Sequence, residues 1–363
     1  MIDEHGFECA FADRRVLVTG HTGFKGTWLS LWLAEIGSEV HGIARAPNTN
    51  PSLFEAVSSG HLTSSHLIDL SDRDRICETI LAIDPHYVFH LAAQPLVRYS
   101  YSHAIETFAT NTLGTVHVLE ASRRTKSTRA FVCVTTDKVY RNQDQTTAFA
   151  EDDRLGGADP YSASKACAEL VVECYRETMS SLGNDLGIAT ARGGNVIGGG
   201  DWSDDRLVPD FVKAVRGPHP LMIRQPEAVR PWQHVLELCH GYLKLAAALA
   251  DDPQAFGGSW NFGPGSSDNV SVRDMLNILC EAWARPDIQY ARCDDLHEAS
   301  CLRLDNAKAR RALGWVPTMQ LASAATETAS WYRDFFQKPN RAAELTKKQI
   351  NAYRQTIGRA RQG

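Results

Sequence analysis

Short apolar runs alternate with amphipathic segments over the first half of the chain. Five runs have the length and apolar character of buried strands, and the segments between them place apolar residues at helical spacing. Continuous apolar strands separated by helices are typical of a parallel sheet that is covered on both faces. The predicted strands are residues 15–20, 39–44, 66–70, 87–93 and 130–136, and a long helix is predicted from about residue 161.

This pattern predicts an α/β protein with a Rossmann-type doubly wound parallel sheet and a smaller mixed α/β lobe. Residues 12–194 are the predicted dinucleotide-binding domain, to which later segments cross back. Residues 195–335 are irregular, with many Trp and Pro, and are predicted to be mainly the substrate-binding lobe. Residues 336–363 are polar and basic with helical spacing, which favours a peripheral helix or a tail.

Charge and cysteine content narrow the class of protein. The net charge of −5 gives no basic field that would attract a nucleic acid. No apolar run approaches the roughly 18 residues that a membrane span needs, and the N-terminus lacks the apolar core of a signal peptide. Nine cysteines without a C-x-x-C pair or zinc spacing favour reduced, mostly buried thiols. We expect a cytoplasmic protein that binds neither a membrane nor a metal.

A glycine-rich turn follows the first predicted strand and opens a helix. Gly20, Gly23 and Gly26 recur every third residue, a spacing that differs from the commonest dinucleotide fingerprint. Glycines at such a turn let the backbone approach a diphosphate, which then lies at the positive end of the helix dipole. The turn therefore predicts a dinucleotide site.

The ends of the second and third strands leave the type of dinucleotide open. The acid that usually binds the adenosine ribose is missing, and Arg45 stands at the end of the second strand. Arg45 could accept a 2′-phosphate or simply face solvent. Asp69, at the end of the third strand, is either a contact to adenine or the cap of the next helix.

Tyr161 and Lys165 lie one helical turn apart and therefore share a face of the predicted long helix. A nearby ammonium lowers the pKa of a phenol, so that Tyr161 can take a hydroxyl proton while hydride leaves the same carbon. The spacing Y-x-x-x-K occurs by chance in many helices, but here it follows a glycine-rich turn. Together the two motifs predict a dehydrogenase-type active site.

Thr136, Asp137 and Lys138 follow the fifth strand, at the carboxyl edge where an open α/β sheet binds ligands. Thr136 supplies the hydroxyl that oxidation of an alcohol needs. Asp137 and Lys138 add an acid/base pair that plain hydride transfer does not use, and a surface ion pair is the alternative interpretation.

The second lobe offers cations for an anionic ligand. Arg206, close in sequence to Asp201, and Arg230 could each bind a diphosphate through the two prongs of a guanidinium group. A solvated surface charge is the alternative for each arginine. His90 and His234 are predicted to be structural.

The chain resembles the CDP-glucose 4,6-dehydratases, which are NAD-dependent enzymes of the extended short-chain dehydrogenase/reductase type. The resemblance extends from about residue 12 to about residue 335. The motifs that carry it are TGHTGFKGTWLSLWL (19–33), PSLFE (51–55), HLAAQPLV (90–97), TDK (136–138), NVIGGGDW (195–202), RPWQHVL (230–236), WNFGP (260–264), HEA (297–299) and LGW (313–315).

The resemblance implies tightly bound NAD, a nucleotide-activated hexose as substrate, and a homodimer or a dimer of dimers. Besides Tyr161 and Lys165, the implied cofactor-binding residues are Gly20, Thr22, Gly23, Phe24, Lys25, Gly26, Asp69, Leu70, Leu91, Ala92, Ala93 and Asn111. The implied substrate-binding residues are Gln94, Asn195, Arg206, Leu207, Arg230 and His297.

The resemblance also implies catalytic roles. Thr136, Tyr161 and Lys165 match the dehydrogenase triad, and Asp137 matches the acid that protonates the departing C6 hydroxyl. Lys138 stands where many sugar-nucleotide dehydratases have Glu and is the candidate base for the proton at C5. The implied reaction is oxidation at C4, elimination of water across C5 and C6, and return of hydride to C6.

The sequence is also compatible with three other functions. A nucleotide-sugar 4-epimerase shares the glycine turn and the triad but has no elimination for Asp137 and Lys138 to catalyse. A UDP-N-acetylglucosamine 4,6-dehydratase can also carry T-D-K, although the long matches around Asn195 and Arg230 favour a CDP-sugar. A catalytically idle NAD-binding regulator has no reason to keep the triad. NADP stays open as the cofactor because of Arg45 and the missing acid.

Overall fold

The computed structural model describes residues 6–183, 185–290 and 299–359. Within these ranges the strands are β1 (Arg15–Thr19), β2 (Glu39–Ala44), β3 (Ser64–Leu67), β4 (Tyr87–His90), β5 (Ala130–Val134), β6 (Gly187–Arg192), β7 (Val196–Ile197), β8 (Leu221–Ile223), β9 (Val229–Pro231), β10 (Gln233–His234), β11 (Gly258–Asn261), β12 (Asn269–Ser271) and β13 (Ile288–Tyr290).

The helices of the same ranges are α1 (Gly6–Cys9), α2 (Phe24–Glu35), α3 (Leu53–Val57), α4 (Arg73–Ile83), α5 (Val97–Ser102), α6 (Ala104–Phe108), α7 (Gly114–Ser122), α8 (Pro160–Ser181), α9 (Leu207–Arg216), α10 (Val235–Asp251), α11 (Pro253–Phe256), α12 (Val272–Ala282), α13 (Leu321–Gln337) and α14 (Ala342–Arg359). Shorter 3₁₀ or π-helical turns lie at Ala109–Leu113, Asp137–Val139, Ser266–Asp268, Ala309–Leu313 and Pro339–Arg341.

Seven of the described strands form one parallel sheet in the order β11-β6-β5-β4-β1-β2-β3. The chain winds outward from β1 through β2 and β3, then returns to β4 on the other side and continues outward. This doubly wound topology confirms the predicted fold class. It also creates a crevice between β1 and β4, where open α/β sheets bind ligands beyond the carboxyl ends of their strands.

Four strands end earlier than predicted. β1 ends at Thr19, β3 at Leu67, β4 at His90 and β5 at Val134. The first residue beyond each of them still donates one backbone hydrogen bond to the neighbouring strand. The candidate residues that follow these strands therefore lie in loops at the carboxyl edge. The sequence pattern does not predict β6 and β11, which complete the sheet on that side.

The main hydrophobic cluster is continuous across the predicted lobes. It contains Trp28 and Trp32 of α2 and also the residues of α10, which is buried from Val235 to Leu249. α10 is enclosed along nearly its whole length, and its buried residues also include Glu237, His240 and Lys244. Because this core includes residues from both 12–194 and 195–335, the lobe boundary at residue 194 stays a prediction.

Residues Ala342–Arg359 form α14. The residues of α14 that face the core include Ile350 and Tyr353, and the Tyr353 ring packs edge-on against Trp32 of α2. The Tyr353 hydroxyl donates to Glu237 Oε2 at 2.7 Å. A sequence that is polar and basic overall thus carries one buried apolar stripe, by which the helix packs on the core.

No helix in the part of the chain that the structure describes has the length and apolar character needed to cross a membrane. The eight described cysteines are free thiols, and three of them, Cys133, Cys239 and Cys301, are buried. The prediction that most are buried is wrong for these eight, whereas the prediction that they are reduced stays a prediction.

Candidate active site

A cavity of about 890 Å³ opens at the carboxyl edge of the sheet. Its walls come from the glycine-rich turn, from the loops after β4 and β5, from the start of α8, and from the second lobe. The volume falls at the upper end of the range for small-molecule sites. The predicted site residues that line it are Phe24, Lys25, Leu91, Ala93, Thr136, Asp137, Lys138, Tyr161, Lys165, Asn195, Arg206, Leu207 and Arg230.

The glycine-rich turn is packed so closely that side chains cannot replace two of its glycines. Gly20 has a φ of +77°, and a Cβ there would lie 2.7 Å from the backbone nitrogen of Ala92. A Cβ on Gly26 would lie 2.1 Å from the carbonyl oxygen of Gly20. The turn, the start of α2 and the loop after β4 therefore meet backbone to backbone, which is the cradle that a dinucleotide diphosphate needs.

The N-terminus of α2 is suited to bind an anion. Gly23 is its N-cap and offers no side-chain acceptor to the first N–H groups, and the first turn holds no acid. These N–H groups and the helix dipole favour a negatively charged ligand. Lys25 lies in the same turn and lines the cavity. Burial, and secondarily the charge of Arg206, lower its pKa from 10.5 to about 8.

The residues predicted to bind the adenosine end lie beyond the described cavity. Asp69 follows β3, and its Oδ1 accepts a hydrogen bond from the Ser71 backbone at 2.8 Å, whereas the N-cap of α4 is Asp72. Arg45 is largely exposed and pairs with Asp69 at 3.6 Å and with Glu106 at 3.3 Å. The helix-cap alternative for Asp69 is thus wrong.

Other predicted cofactor residues hold the loops of the site together. The Thr22 hydroxyl donates to the Arg45 carbonyl at 2.9 Å and ties the glycine turn to the end of β2. Asn111, which is buried, donates to the Gln94 carbonyl at 3.1 Å and to Ser164 Oγ at 2.9 Å. Leu70 is buried, with its side chain against Gly114.

Tyr161, Lys165 and Thr136 come together as the sequence predicts. Asp159 caps α8 and Pro160 begins it, so the first turn presents Tyr161 to the cavity. The Thr136 hydroxyl donates to Asp137 Oδ1 at 3.0 Å, and the Lys165 ammonium donates to the Val134 carbonyl at 3.1 Å. All three side chains are buried.

Burial decides the direction of the shift at Tyr161. It raises the pKa of Tyr161 to about 12, and the neighbouring Thr136 hydroxyl and the charge of Arg206 offset this only in part. Burial also lowers the pKa of Lys165. That the Lys165 ammonium favours the phenolate stays a prediction.

Asp137 is fully buried beside this triad. Its Oδ1 accepts a hydrogen bond from the Thr136 hydroxyl at 3.0 Å and lies 3.6 Å from the Lys138 ammonium. Its Oδ2 has no hydrogen-bond partner within residues 6–183, 185–290 and 299–359. A Cβ on Gly194 would lie 1.8 Å from this oxygen, so only glycine leaves room for the carboxyl group. The surface ion-pair interpretation of Asp137 and Lys138 is therefore wrong for Asp137.

Below the triad lies a buried network, which consists of Glu169, Arg192, Thr135, Thr190 and Tyr140. Arg192 donates to both carboxylate oxygens of Glu169, at 3.0 and 2.9 Å. The Glu169 oxygens also accept hydrogen bonds from Thr135 and Thr190, and Arg192 donates to the Tyr140 hydroxyl at 2.8 Å. The sequence offered one signal for it, because Glu169 lies one helical turn beyond Lys165.

The substrate lobe contributes cations and one amide. Arg206 precedes α9 and pairs with Asp201 at 3.1 Å, whereas Arg230 is buried and donates to the Val229 carbonyl at 3.0 Å. Leu207 begins α9 beside Arg206. Asn195 has a φ of +41°, and its buried Oδ1 has no partner among the described residues. These four residues reach the cavity from one side.

Gln94 does not line the cavity. The side-chain amide of Gln94 is used within its own loop, where it donates to Thr107 at 2.9 Å and accepts from the Leu96 backbone at 2.6 Å. Its predicted contact with the substrate therefore stays a prediction. His297 lies outside the described residues. His90 is structural as predicted, since Thr19 and Thr115 bind its two ring nitrogens.

Comparison with known proteins places this geometry in a family. The model of the GDP-mannose 4,6 dehydratase family matches residues 17–328. A CDP-glucose 4,6-dehydratase of Salmonella typhimurium is 42% identical to the chain over 339 residues, which cover 92% of the chain and 93% of the relative.

Solved structures share the fold. The UDP-glucose 4-epimerase of Thermus thermophilus, solved as a complex with NAD, superposes with a TM-score of 0.75 at 26% identity and covers 88% of the chain and 99% of its own. The dTDP-glucose 4,6-dehydratase of Bacillus anthracis, also in complex with NAD, gives a TM-score of 0.74 at 20% identity, covering 90% of the chain and 98% of its own.

Proposed function

Because the chain belongs to the GDP-mannose 4,6 dehydratase family, we propose that it is an NAD-dependent CDP-glucose 4,6-dehydratase. The reaction converts CDP-D-glucose into CDP-4-dehydro-6-deoxy-D-glucose and water. The observation that carries this choice among sugar-nucleotide enzymes is the 42% identity, over 92% of the chain, to the Salmonella relative. The buried carboxyl of Asp137 next to the triad supports the same reaction, because elimination needs a proton donor that oxidation alone does not.

The first step is oxidation at C4. When bound, NAD accepts hydride from C4 and later returns it to C6, so it is not consumed in the overall reaction. Tyr161 takes the proton of the C4 hydroxyl, and the Thr136 hydroxyl lines the same cavity. The Lys165 ammonium is fixed by the Val134 carbonyl one turn from Tyr161, where its charge stabilises the developing phenolate.

The second step is loss of water across C5 and C6. The C4 ketone acidifies the proton at C5, and we assign its removal to Lys138, which acts as the neutral amine and whose side chain, 31% exposed, lines the cavity. Asp137 gives a proton to the C6 oxygen as the hydroxyl departs. Its Oδ1 is held by Thr136, so the proton belongs on the Oδ2 oxygen that no described residue binds.

The remaining candidate residues are assigned to binding of the dinucleotide or of the nucleotide sugar. Gly20, Gly23 and Gly26 support a dinucleotide diphosphate at the N-terminus of α2. We assign Arg206, Leu207, Arg230 and Asn195 to the nucleotide sugar because they line the opposite side of the cavity. Contacts of Asp69, Gln94 and His297 with ligands stay predictions.

The alternative with the same triad is a nucleotide-sugar 4-epimerase. It needs Tyr161, Thr136 and Lys165 but gives Asp137 no step to perform. The test is incubation of the purified protein with CDP-, dTDP-, GDP- and UDP-hexoses, followed by detection of 4-keto-6-deoxy products. We expect the keto product from CDP-glucose. Interconversion of two hexoses without loss of water would support the epimerase, and a keto product from UDP-N-acetylglucosamine alone would support that dehydratase.

We further propose that the protein acts in the cytoplasm as a homodimer or a dimer of dimers. Support comes from large apolar side chains exposed on neighbouring elements, Ile105 of α6, Leu113 of the π-helical turn and Leu170 of α8. A second copy that covers them would remove this apolar area from water. Light scattering of the purified protein measures the mass that decides between these states.

A further inference from the structure

Three charged side chains from separate segments meet where the second strand of the sheet ends. Arg45 directly follows β2, Asp69 lies in the loop after β3, and Glu106 lies in α6. The Arg45 guanidinium lies 3.6 Å from Asp69 Oδ2 through Nε and 3.3 Å from Glu106 Oε1 through Nη1. We call these three residues the Arg45 cluster. One guanidinium and two carboxylates give the cluster a formal charge of −1.

The Arg45 cluster lies next to the cradle for the dinucleotide diphosphate. The Thr22 hydroxyl of the glycine-rich turn donates to the Arg45 carbonyl at 2.9 Å and so ties the cradle to the cluster. In a doubly wound sheet, side chains at the end of the second strand face the ribose of the adenosine half. An acid there binds the 2′-hydroxyl group of NAD, whereas an arginine accommodates the 2′-phosphate of NADP. Because the cluster contains both kinds of group, the pairing among its members bears on which dinucleotide is accepted.

Each carboxylate of the Arg45 cluster is also held from a second side. Oε2 of Glu106 accepts a hydrogen bond from the Tyr99 hydroxyl at 2.8 Å, while Oε1 faces the guanidinium. Oδ1 of Asp69 accepts a hydrogen bond from the Ser71 backbone at 2.8 Å, while Oδ2 faces the guanidinium. Both acids therefore present one oxygen to Arg45, and both are kept there by groups outside the cluster.

We propose that Asp69 and Glu106 select NAD over NADP by keeping the Arg45 guanidinium from a 2′-phosphate. The proposal rests on the proposed function only in that the cofactor is an adenine dinucleotide. A 2′-phosphate adds a charge of about −2 at neutral pH. To bind it, Arg45 would have to leave two carboxylates, which would then repel the phosphate from close by. A ribose hydroxyl meets no such conflict, because a carboxylate oxygen accepts its hydrogen bond. The acid that is missing from the end of β2 is thus supplied by two other segments.

Glu106→Gln tests the proposal, because it removes one charge and keeps an oxygen that accepts from the Tyr99 hydroxyl. The purified holoprotein is incubated with equal concentrations of NAD and NADP until the composition of the bound dinucleotide is constant. Free dinucleotide is then removed, the protein is denatured, and the released NAD and NADP are quantified. We expect mainly NAD from the unchanged protein and a bound NADP-to-NAD ratio about three- to tenfold higher in Glu106→Gln. Equal binding of the two dinucleotides by the unchanged protein, or an unaltered ratio in the variant, would overturn the proposal.

Glu120→Gln is the matched control. Glu120 of α7 also pairs with an arginine, Arg123, and also accepts a hydrogen bond from a tyrosine hydroxyl, that of Tyr175 at 3.3 Å. Its side chain is 36% exposed, close to the 41% of Glu106. We expect the ratio of bound dinucleotides to stay as in the unchanged protein. An equal rise in both variants would mean that only the net charge of the protein matters, and the proposal would fall.

Arg45→Gln shows whether the effect passes through the guanidinium. With no guanidinium to release, Glu106→Gln added to Arg45→Gln should raise the NADP-to-NAD ratio by less than it does alone. An undiminished rise would mean that Glu106 acts on the phosphate without Arg45, which contradicts the proposal. None of these incubations contains a sugar nucleotide. If CDP-glucose gave no keto product, the proposed function would fail, whereas the contrast between Glu106→Gln and Glu120→Gln would still decide how the dinucleotide is selected.

Discussion

The buried network and the rim cluster use the same chemistry in opposite surroundings. In the network, Glu169 and Arg192 are 2–3% exposed and make two short hydrogen bonds to each other. The rim cluster consists of Arg98, Asp205 and Arg224, which line the cavity. In it, Asp205 Oδ1 lies 3.0 Å from Arg224 and 3.7 Å from Arg98, and the three side chains are about a third or more exposed. The first arrangement fixes a geometry because a lost partner would leave a charge buried, whereas the second can change partners at little cost.

The position of each cluster matches this difference. Glu169 lies one turn from Lys165 on α8 and binds Thr135 at the end of β5, so the network joins the helix and the loop that carry the triad. The rim cluster instead joins residues of three separate segments that line the cavity. The protein thus has an enclosed charge pair next to the triad and water-exposed pairs in the cavity wall.

The largest effect is expected from Tyr161→Phe, which leaves both clusters intact. Turnover should fall by roughly 10² to 10⁴, the usual contribution of one positioned acid or base. NAD content and CDP affinity should stay close to those of the unchanged protein, because the ring keeps its volume. Steady-state kinetics together with CDP titration measures both. Turnover at the original rate would remove Tyr161 from the reaction.

The second-largest effect is expected on the free energy of unfolding, which allows the two clusters to be compared directly. Glu169→Gln leaves the Arg192 charge buried without its partner and should lower the free energy of unfolding by about 3–5 kcal/mol. Asp205→Asn, in the rim cluster, should change it by less than about 1 kcal/mol. Urea denaturation gives both values. Similar losses in the two variants would contradict the distinction between fixed and exchangeable pairs.

Asp137→Asn separates elimination from oxidation. The variant keeps the triad but cannot donate a carboxyl proton, so we expect elimination to fall by about 10² or more while oxidation at C4 continues. A single-turnover experiment that follows the absorbance of the reduced nicotinamide, with analysis of the sugar product, measures the two events. If water leaves as fast as before, Asp137 is only a structural residue of its turn.

The smallest expected effect is the dependence of dinucleotide affinity on pH. Burial lowers the pKa of Lys25 to about 8, so this cavity side chain is charged below that pH and increasingly neutral above it. Because a dinucleotide diphosphate is anionic, its affinity should decrease as the pH rises through about 8. The dissociation rate of NAD on either side of this pH measures the change. Lys25→Arg, which stays charged, should flatten the profile, and an equal slope in both proteins would exclude Lys25 as the cause.

The sequence predicted the sheet and the triad because both follow from local pattern. Apolar runs give the first five strands, and Tyr161 and Lys165 share a helix, so their proximity needs no knowledge of the fold. The buried network and the rim cluster could not be predicted in the same way. Arg192 reaches Glu169 because β6 lies in the sheet beside β5, and Asp205 reaches Arg98 because the substrate lobe packs at the cavity. The partners in each pair are too far apart in sequence for a periodic pattern to predict their contact.

The glycine that accommodates Asp137 illustrates the same limit. Gly194 is one of several glycines near residue 195. Only the structure shows that this position must be glycine, because the Asp137 carboxyl group lies against it. The pKa of Tyr161 is a second case. The motif correctly places an ammonium nearby, but the amount of surrounding protein, which no motif encodes, decides the direction of the shift.

The packing of α14 against α2 has a consequence for how the protein is made. Asn351 of α14 contacts Glu35 at the end of α2 across 316 intervening positions of sequence. During synthesis, the glycine-rich turn and α2, which carries Trp28 and Trp32, therefore leave the ribosome long before α14, which packs against them. Until α14 has been synthesised, Trp32 lacks the tyrosine ring that covers it. The nascent chain must carry this apolar face exposed, a state that invites chaperone binding or aggregation.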